Sequence, residues 1–214
     1  MLNRFELLWS LIIGGVVFFV GLRILKYIRK EKLPKGSILI EKIESDEALQ
    51  SPGKRWSQIG VSLPLTLNMI LEFIVIFLCI FDLWNAMSQI IAINFPAWVN
   101  WFGMIGLYSC IPLDLANFYY NVNFTRLYKQ IEGKYVLATG GPYRYVRHPM
   151  YVGGVLEVMM FFITTGIYII LFYLIFLLLA LPYQAKGEEK LLKAIFGDLY
   201  DEYISKTGRF FPKF

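Results

Sequence analysis

The chain has 214 residues, of which 57% are hydrophobic and only 17% charged, with a formal net charge of +5. Soluble domains are about half apolar and about a quarter charged; here the apolar excess falls in blocks, which excludes an ordinary soluble domain and indicates a polytopic membrane protein. The two cysteines, Cys79 and Cys110, both lie in apolar runs and the chain has one histidine, so neither a disulfide framework nor a metal site is expected.

In chain order, the first apolar run covers about 7–27. It is too long for the core of a signal peptide and no small-residue cleavage site follows, so it reads as a retained span. A polar stretch, 28–58, contains "PKGS" and "SPGK" around mixed charges and predicts a cytoplasmic loop with a short amphipathic helix. Two more runs, about 59–82 and 97–120, have the roughly 20 residues that a spanning helix needs. The stretch 121–149 is too polar to span. Two short apolar runs, 150–164 and 167–182, are separated by "TTG" and predict a tight helical hairpin whose second helix continues beyond the membrane surface. The expected architecture is therefore all-α with five spans in one membrane domain, 1–214: three spans over 1–120 and a catalytic subdomain over 121–214.

Basic residues set the orientation. Eight fall between Lys26 and Arg55, five between 121 and 149, and six from Lys186 onward, while the loop 83–96 has none. These counts predict an amino terminus outside and a carboxyl terminus in the cytoplasm. The positive charge follows the spans and forms no separate patch, so nucleic acid is not an expected partner.

Polar chemistry gathers in "GPYRYVRHPMYVGG", 141–154. Gly140, Gly141 and Pro142 mark a turn, and Pro149 suits the first position of a helix, where its missing N–H costs nothing. His148 then falls at the cap, beside unpaired backbone N–H groups, with Arg144 and Arg147 close by; such an end attracts a carboxylate or a phosphate. Arginines that snorkel and tyrosines that form an interfacial belt are the alternative for these residues. In 187–212, apolar residues at Leu191, Leu192, Ile195, Phe196, Leu199, Tyr200, Tyr203 and Ile204 have helical spacing. That spacing predicts Glu188 on the buried stripe and Glu189 on the solvated side, paired with Lys193. Glu157 lies inside a span, where a carboxylate is a candidate for function.

The segment "GPYRYVRHPMYVG", followed about 35 residues later by "EE" and then by a final "RFFP", resembles the isoprenylcysteine carboxyl methyltransferase family in its compact prokaryotic form. Phospholipid methyltransferases share the pattern. The resemblance covers Gly133 to the end closely, and the first three spans only in number and length. It implies an integral membrane methyltransferase that uses S-adenosylmethionine and acts on a lipophilic acceptor such as an isoprenylcysteine carboxylate, with a phospholipid amine as the alternative. It places Tyr143, Arg144, Val146, Arg147, His148, Tyr151, Glu188 and Arg209 around the cofactor, and Glu188 at the active site. Members that methylate carboxylates often carry an arginine one turn before that glutamate; here Gln184 stands there. The catalytic candidates are thus Glu188, Gln184 and Glu157, with no metal. An NADPH-dependent membrane reductase, which shares an arginine-histidine-proline-x-tyrosine motif, and a non-enzymatic scaffold are the competing readings.

Overall fold

A computed structural model describes residues 2–28, 33–41, 55–121 and 134–213. Its elements run α1 (Arg4–Ile28), β1 (Ser37–Glu41), α2 (Arg55–Ile80), α3 (Trp84–Ile91), α4 (Ala97–Tyr120), β2 (Lys134–Ala138), a 3-10 turn (Gly141–Arg144), α5 (Pro149–Thr165), α6 (Tyr168–Phe196) and α7 (Asp198–Lys206). The protein is mostly helical. α1, α2 and α6 are long and apolar enough to cross a membrane, and α5 is a shorter apolar helix. α4 has the length, but it carries Asn100, Asp114 and Asn117 among its apolar residues.

α1 starts at a reciprocal cap. Asn3 Oδ1 accepts from the N–H groups of Phe5 (3.0 Å) and Glu6 (2.9 Å), while Glu6 Oε2 accepts from the N–H of Asn3 at 2.9 Å. α4 packs along α5, α2 along α6, and α1 against both α2 and α4. Close approach relies on small residues, as is usual between helices in lipid. A Cβ on Gly60 would lie 2.4 Å from Ala180 Cβ, and one on Gly103 would lie 2.6 Å from the backbone nitrogen of Thr164. The outward faces of α1, α2 and α6 expose large apolar side chains such as Phe19, Phe73 and Phe172, suited to lipid.

The α5–α6 hairpin is present and turns at Gly166, whose φ of 73° is a left-handed conformation open to glycine. Asn100 on α4 donates from Nδ2 to the carbonyls of Ile163 (3.1 Å) and Thr164 (2.9 Å), and so satisfies the otherwise bare end of α5. α6 runs on to Phe196, well past the apolar run.

Three expectations need correction. The chain is not wholly helical, because β1 and β2 pair antiparallel, Ser37 opposite Ala138. The sheet covers a second apolar cluster of Leu137, Phe196, Tyr200 and Tyr203, separate from the core among the spans. The loop 83–96 holds a short helix, α3, with Trp84 and Ser88 buried. The helix expected over the carboxyl-terminal stripe is broken at Gly197, φ 53°, so α7 leaves in a new direction. The amphipathic helix expected within 28–58 falls largely on 42–54, outside the described residues.

The glycine contacts give a stability prediction. Gly103→Ala forces a Cβ against backbone and should lower stability by about 1–3 kcal/mol, the range for overpacking. Gly15, whose added Cβ meets nothing within 4 Å, should tolerate alanine or gain from it. Thermal unfolding of both variants in detergent checks this, and equal midpoints would contradict it.

Candidate active site

The site is built where the start of α5, the far end of α6, and the tail after α7 converge. Pro149 opens α5 at its first position, with His148 as the cap residue. The tail runs parallel to the segment before it. Val146 bridges Gly208, the N–H of Arg147 donates to Gly208 O (2.8 Å), and the N–H of His148 donates to Arg209 O (3.1 Å). The His148 ring lies parallel to that of Tyr151, centroids 5.3 Å apart, with Phe210 on another side at 5.9 Å.

The paired glutamates meet this segment differently from the expectation. Glu189 is buried, 8% exposed, and pairs with Arg147 Nε at 2.8 Å and Arg209 Nε at 3.0 Å, with Arg209 Nη2 also in contact. Lys193, its expected partner, pairs with Asp201 instead. Glu188 is partly open. It accepts from the Tyr151 hydroxyl and from Gln184 Nε2 (3.0 Å), and its Oε2 lies 3.4 Å from His148 Nδ1. Gln184 is held in turn by the Ser57 hydroxyl at 3.1 Å. The solvated assignment of Glu189 is therefore wrong. The buried stripe of the apolar part of α6 continues through Gln184 and Ala185 to Glu189 and on to Phe196, and this phase fixes its side.

Arg147 and His148 are consequently not free cations awaiting an anion, since both face internal carboxylates. Burial opposes a charged His148 ring, but the carboxylates of Glu188 and Glu189, each 3.4 Å away, outweigh it and raise its pKa above the ordinary 6.5. Burial also pushes the Tyr143 hydroxyl well up, so it stays a neutral donor and acceptor; it accepts from Asn121 Nδ2 at 3.0 Å.

A narrow cleft of about 80 Å3 opens at this junction. Tyr143, His148, Tyr151 and Glu188 line it, as do Leu137 of β2, Leu192 of α6, and Tyr200 and Tyr203 of α7. Arg147 contributes to the wall, whereas Arg144 is exposed and Val146 acts through its backbone; neither lines the cleft. Two buried polar atoms on the wall have no hydrogen-bond partner among the described residues: His148 Nε2, which lies 3.4 Å from Glu189 Oε1 without bonding geometry, and the Tyr200 hydroxyl. The cleft thus presents aromatic and aliphatic walls, two unmatched polar atoms and the half-open Glu188.

A larger chamber of about 440 Å3 lies among α1, α2, α4 and α5, and Met150 lines both spaces. Its walls are mostly apolar but carry Glu157 of α5, Glu72 of α2 and Asp114 of α4. Glu157 is within electrostatic reach of both other carboxylates. Asn68 donates to Glu72 Oε1 at 2.9 Å and accepts from the Tyr173 hydroxyl at 2.9 Å. Glu157 thus stands apart from Glu188 and Gln184, in the other space. Glu72 and Asp114 were missed, although the signal that singled out Glu157, a carboxylate within an apolar run, applies equally to them. Leu137, Tyr200 and Tyr203 could not be found that way, because they reach the cleft only through the sheet and the turn at Gly197. Among the described residues no group of side chains could hold a metal ion.

Residues 96–199 match the family model described as phospholipid methyltransferase. No curated protein matches the chain.

The raised pKa of His148 has a signed consequence. Its proton contributes stability in full below the unfolded value of 6.5, and that contribution is lost as pH rises through the higher folded value. Thermal unfolding should therefore move to lower temperature from neutral to alkaline pH, and less so in His148→Gln. The same pH slope in both proteins would contradict the charged assignment.

Proposed function

We propose that the chain is an integral membrane S-adenosylmethionine-dependent methyltransferase, related to the phospholipid methyltransferases whose family model matches residues 96–199, and that its acceptor is a lipid-like amine. The observation that carries this reading is the shared Met150 wall between a cleft with aromatic and polar walls and an apolar chamber lined by three carboxyl groups.

The cofactor would be held by Tyr143, His148, Tyr151, Glu188 and the aromatic side chains of α7. When bound, S-adenosylmethionine supplies a methyl group on a sulfonium sulfur, which keeps the electron pair of the broken S–C bond and leaves as S-adenosylhomocysteine. The chain's own contributions are alignment of the acceptor and exclusion of water. Glu188 has one oxygen engaged by Tyr151 and Gln184, which fixes the carboxylate, while Oε2 faces His148 across 3.4 Å. That oxygen is the candidate base that takes the proton of an ammonium acceptor.

Glu72, Asp114 and Glu157 favour the amine over the isoprenylcysteine carboxylate. In a low-dielectric chamber these acids can give up a proton to pair with an ammonium, whereas the described lining offers no cation to a carboxylate. Gln184, where carboxylate methylators often carry an arginine, points the same way. The reductase reading receives no support from the family match.

The orientation follows from the basic residues: five spans, α1, α2, α4, α5 and α6, with the cleft on the cytoplasmic side and the acceptor entering laterally from the bilayer. In this arrangement 1–214 is one membrane domain. Cysteine labelling in sealed vesicles should reach position 94 from outside and position 205 only after permeabilisation; the reverse pattern would invert the topology.

Binding separates the enzyme classes. The purified protein should bind S-adenosylhomocysteine and not NADPH, and binding of NADPH alone would overturn the proposal. Glu188→Gln should cut turnover of a long-chain amine by about 100-fold or more, the range for a lost acid-base group, with a smaller change in S-adenosylhomocysteine affinity. Full turnover in this variant would remove Glu188 as the base.

A further inference from the structure

We propose that Glu189 is a positioning residue: it locks the carboxyl-terminal strap, residues 207–210, across the start of α5 and so fixes the wall of the cleft. The inference rests on the methyltransferase reading only for the identity of the ligand that the wall receives.

Apart from Glu189, the strap is held by Phe210, packed against the core of the long helices, by the Thr207 hydroxyl, which donates to the carbonyl oxygen of Tyr203 at 2.6 Å, and by a few backbone contacts. Its backbone meets the 145–148 segment through one isolated parallel bridge, with three hydrogen bonds of 2.8–3.3 Å. Gly208 turns so tightly that an added Cβ would lie 1.6 Å from the carbonyl oxygen of Phe211. Arg147 reaches the strap through its Nη1, which donates to the carbonyl oxygen of Thr207.

Glu189 ties these parts together. Its carboxylate receives Arg147 from before α5 and Arg209 from the strap, and His148 Nε2 lies 3.4 Å away. Two guanidiniums drawn to one carboxylate repel each other once its charge is gone. Arg147 and Glu189 are each 10% exposed at the side chain, so water replaces the lost partner poorly. Glutamine at 189 retains one acceptor but turns a donor toward one of the arginines. The strap carries Phe210 onto the His148 ring, and His148 lines the cleft. A loosened strap therefore unfixes the ring that the ligand would touch. Glu188 is the contrasting neighbour, since it faces the cleft and touches no arginine among the described contacts.

The test uses the full chain in detergent micelles and two readouts, one independent of any ligand. The first is hydrogen exchange in peptides that cover 145–149 and 204–212. The second is calorimetric affinity for S-adenosylhomocysteine. Glu189→Gln should speed exchange in both peptides and weaken the ligand by about tenfold or more, while exchange within α2 and α4 stays as in wild type. Glu189→Asp, which keeps the charge, should recover part of both effects. Should Glu189→Gln fail to fold, Arg209→Gln keeps the Arg147 pair and carries the same prediction. Unchanged exchange in the strap of a folded variant would overturn the lock, and faster exchange with unchanged affinity would overturn the positioning role. If wild type binds no S-adenosylhomocysteine, the methyltransferase reading fails while the exchange result still decides whether Glu189 holds the strap.

Discussion

A carboxylate taken out of water must be answered by positive charge, and Glu189 is answered by Arg147 and Arg209 from two other parts of the chain. Much of this end of the molecule follows from that requirement. Arg147 can be there only if the segment before α5 lies along the end of α6, and Arg209 only if the tail folds back after α7. Once those pieces are in place, His148 is enclosed between Tyr151 and Phe210, and Glu188, one residue from Glu189, turns toward the space that remains. The lone histidine is thus held by a charge cluster and by ring contacts on two sides, which gives the cleft a rigid wall.

The second constraint is the membrane. Ionisable groups among apolar helices are costly unless they line a polar cavity or find partners. Glu72, Asp114 and Glu157 share one chamber, and Asn68 with Tyr173 gives Glu72 a hydrogen-bonded anchor. The molecule thereby holds two environments side by side: a cleft with aromatic and charged walls, and a mostly apolar chamber lined by three carboxyl groups. The proposed pairing of a water-soluble cofactor with a lipid-like acceptor would use such a division, and Met150 marks where the two spaces meet.

The long apolar helices were legible because lipid exposure makes every face of a helix apolar, and Gly166 and Pro149 punctuate the chain with known conformational preferences. The cap position of His148 was legible for the same reason. The side on which the paired glutamates fall was not. Within the continuous α6, Leu191 and Ile195 put Glu188 on an apolar face, but Leu192 and Phe196, three and seven residues on, share the face of Glu189, and that face joins the stripe arriving from the apolar part through Ala185. The sheet was equally hidden. Ser37–Glu41 and Lys134–Ala138 are short, and nearly a hundred residues separate them, so neither has a local signal for its partner. The cleft walls from Leu137, Tyr200 and Tyr203 depend on that sheet and on the turn at Gly197. Arg144 illustrates the opposite error: it sits inside the motif but projects into solvent, and proximity in sequence to His148 gave it no place in the cleft.

The central claim is that an amine, and not a carboxylate, receives the methyl group. The most direct measurement offers the purified protein S-adenosylmethionine together with equimolar long-chain amine and prenyl-cysteine carboxylate, and reads the products by mass spectrometry. The carboxylates of the chamber predict a methylated amine as the main product, with that preference reduced in Glu72→Gln and Glu157→Gln. Methylation of the carboxylate with the amine untouched would contradict the account.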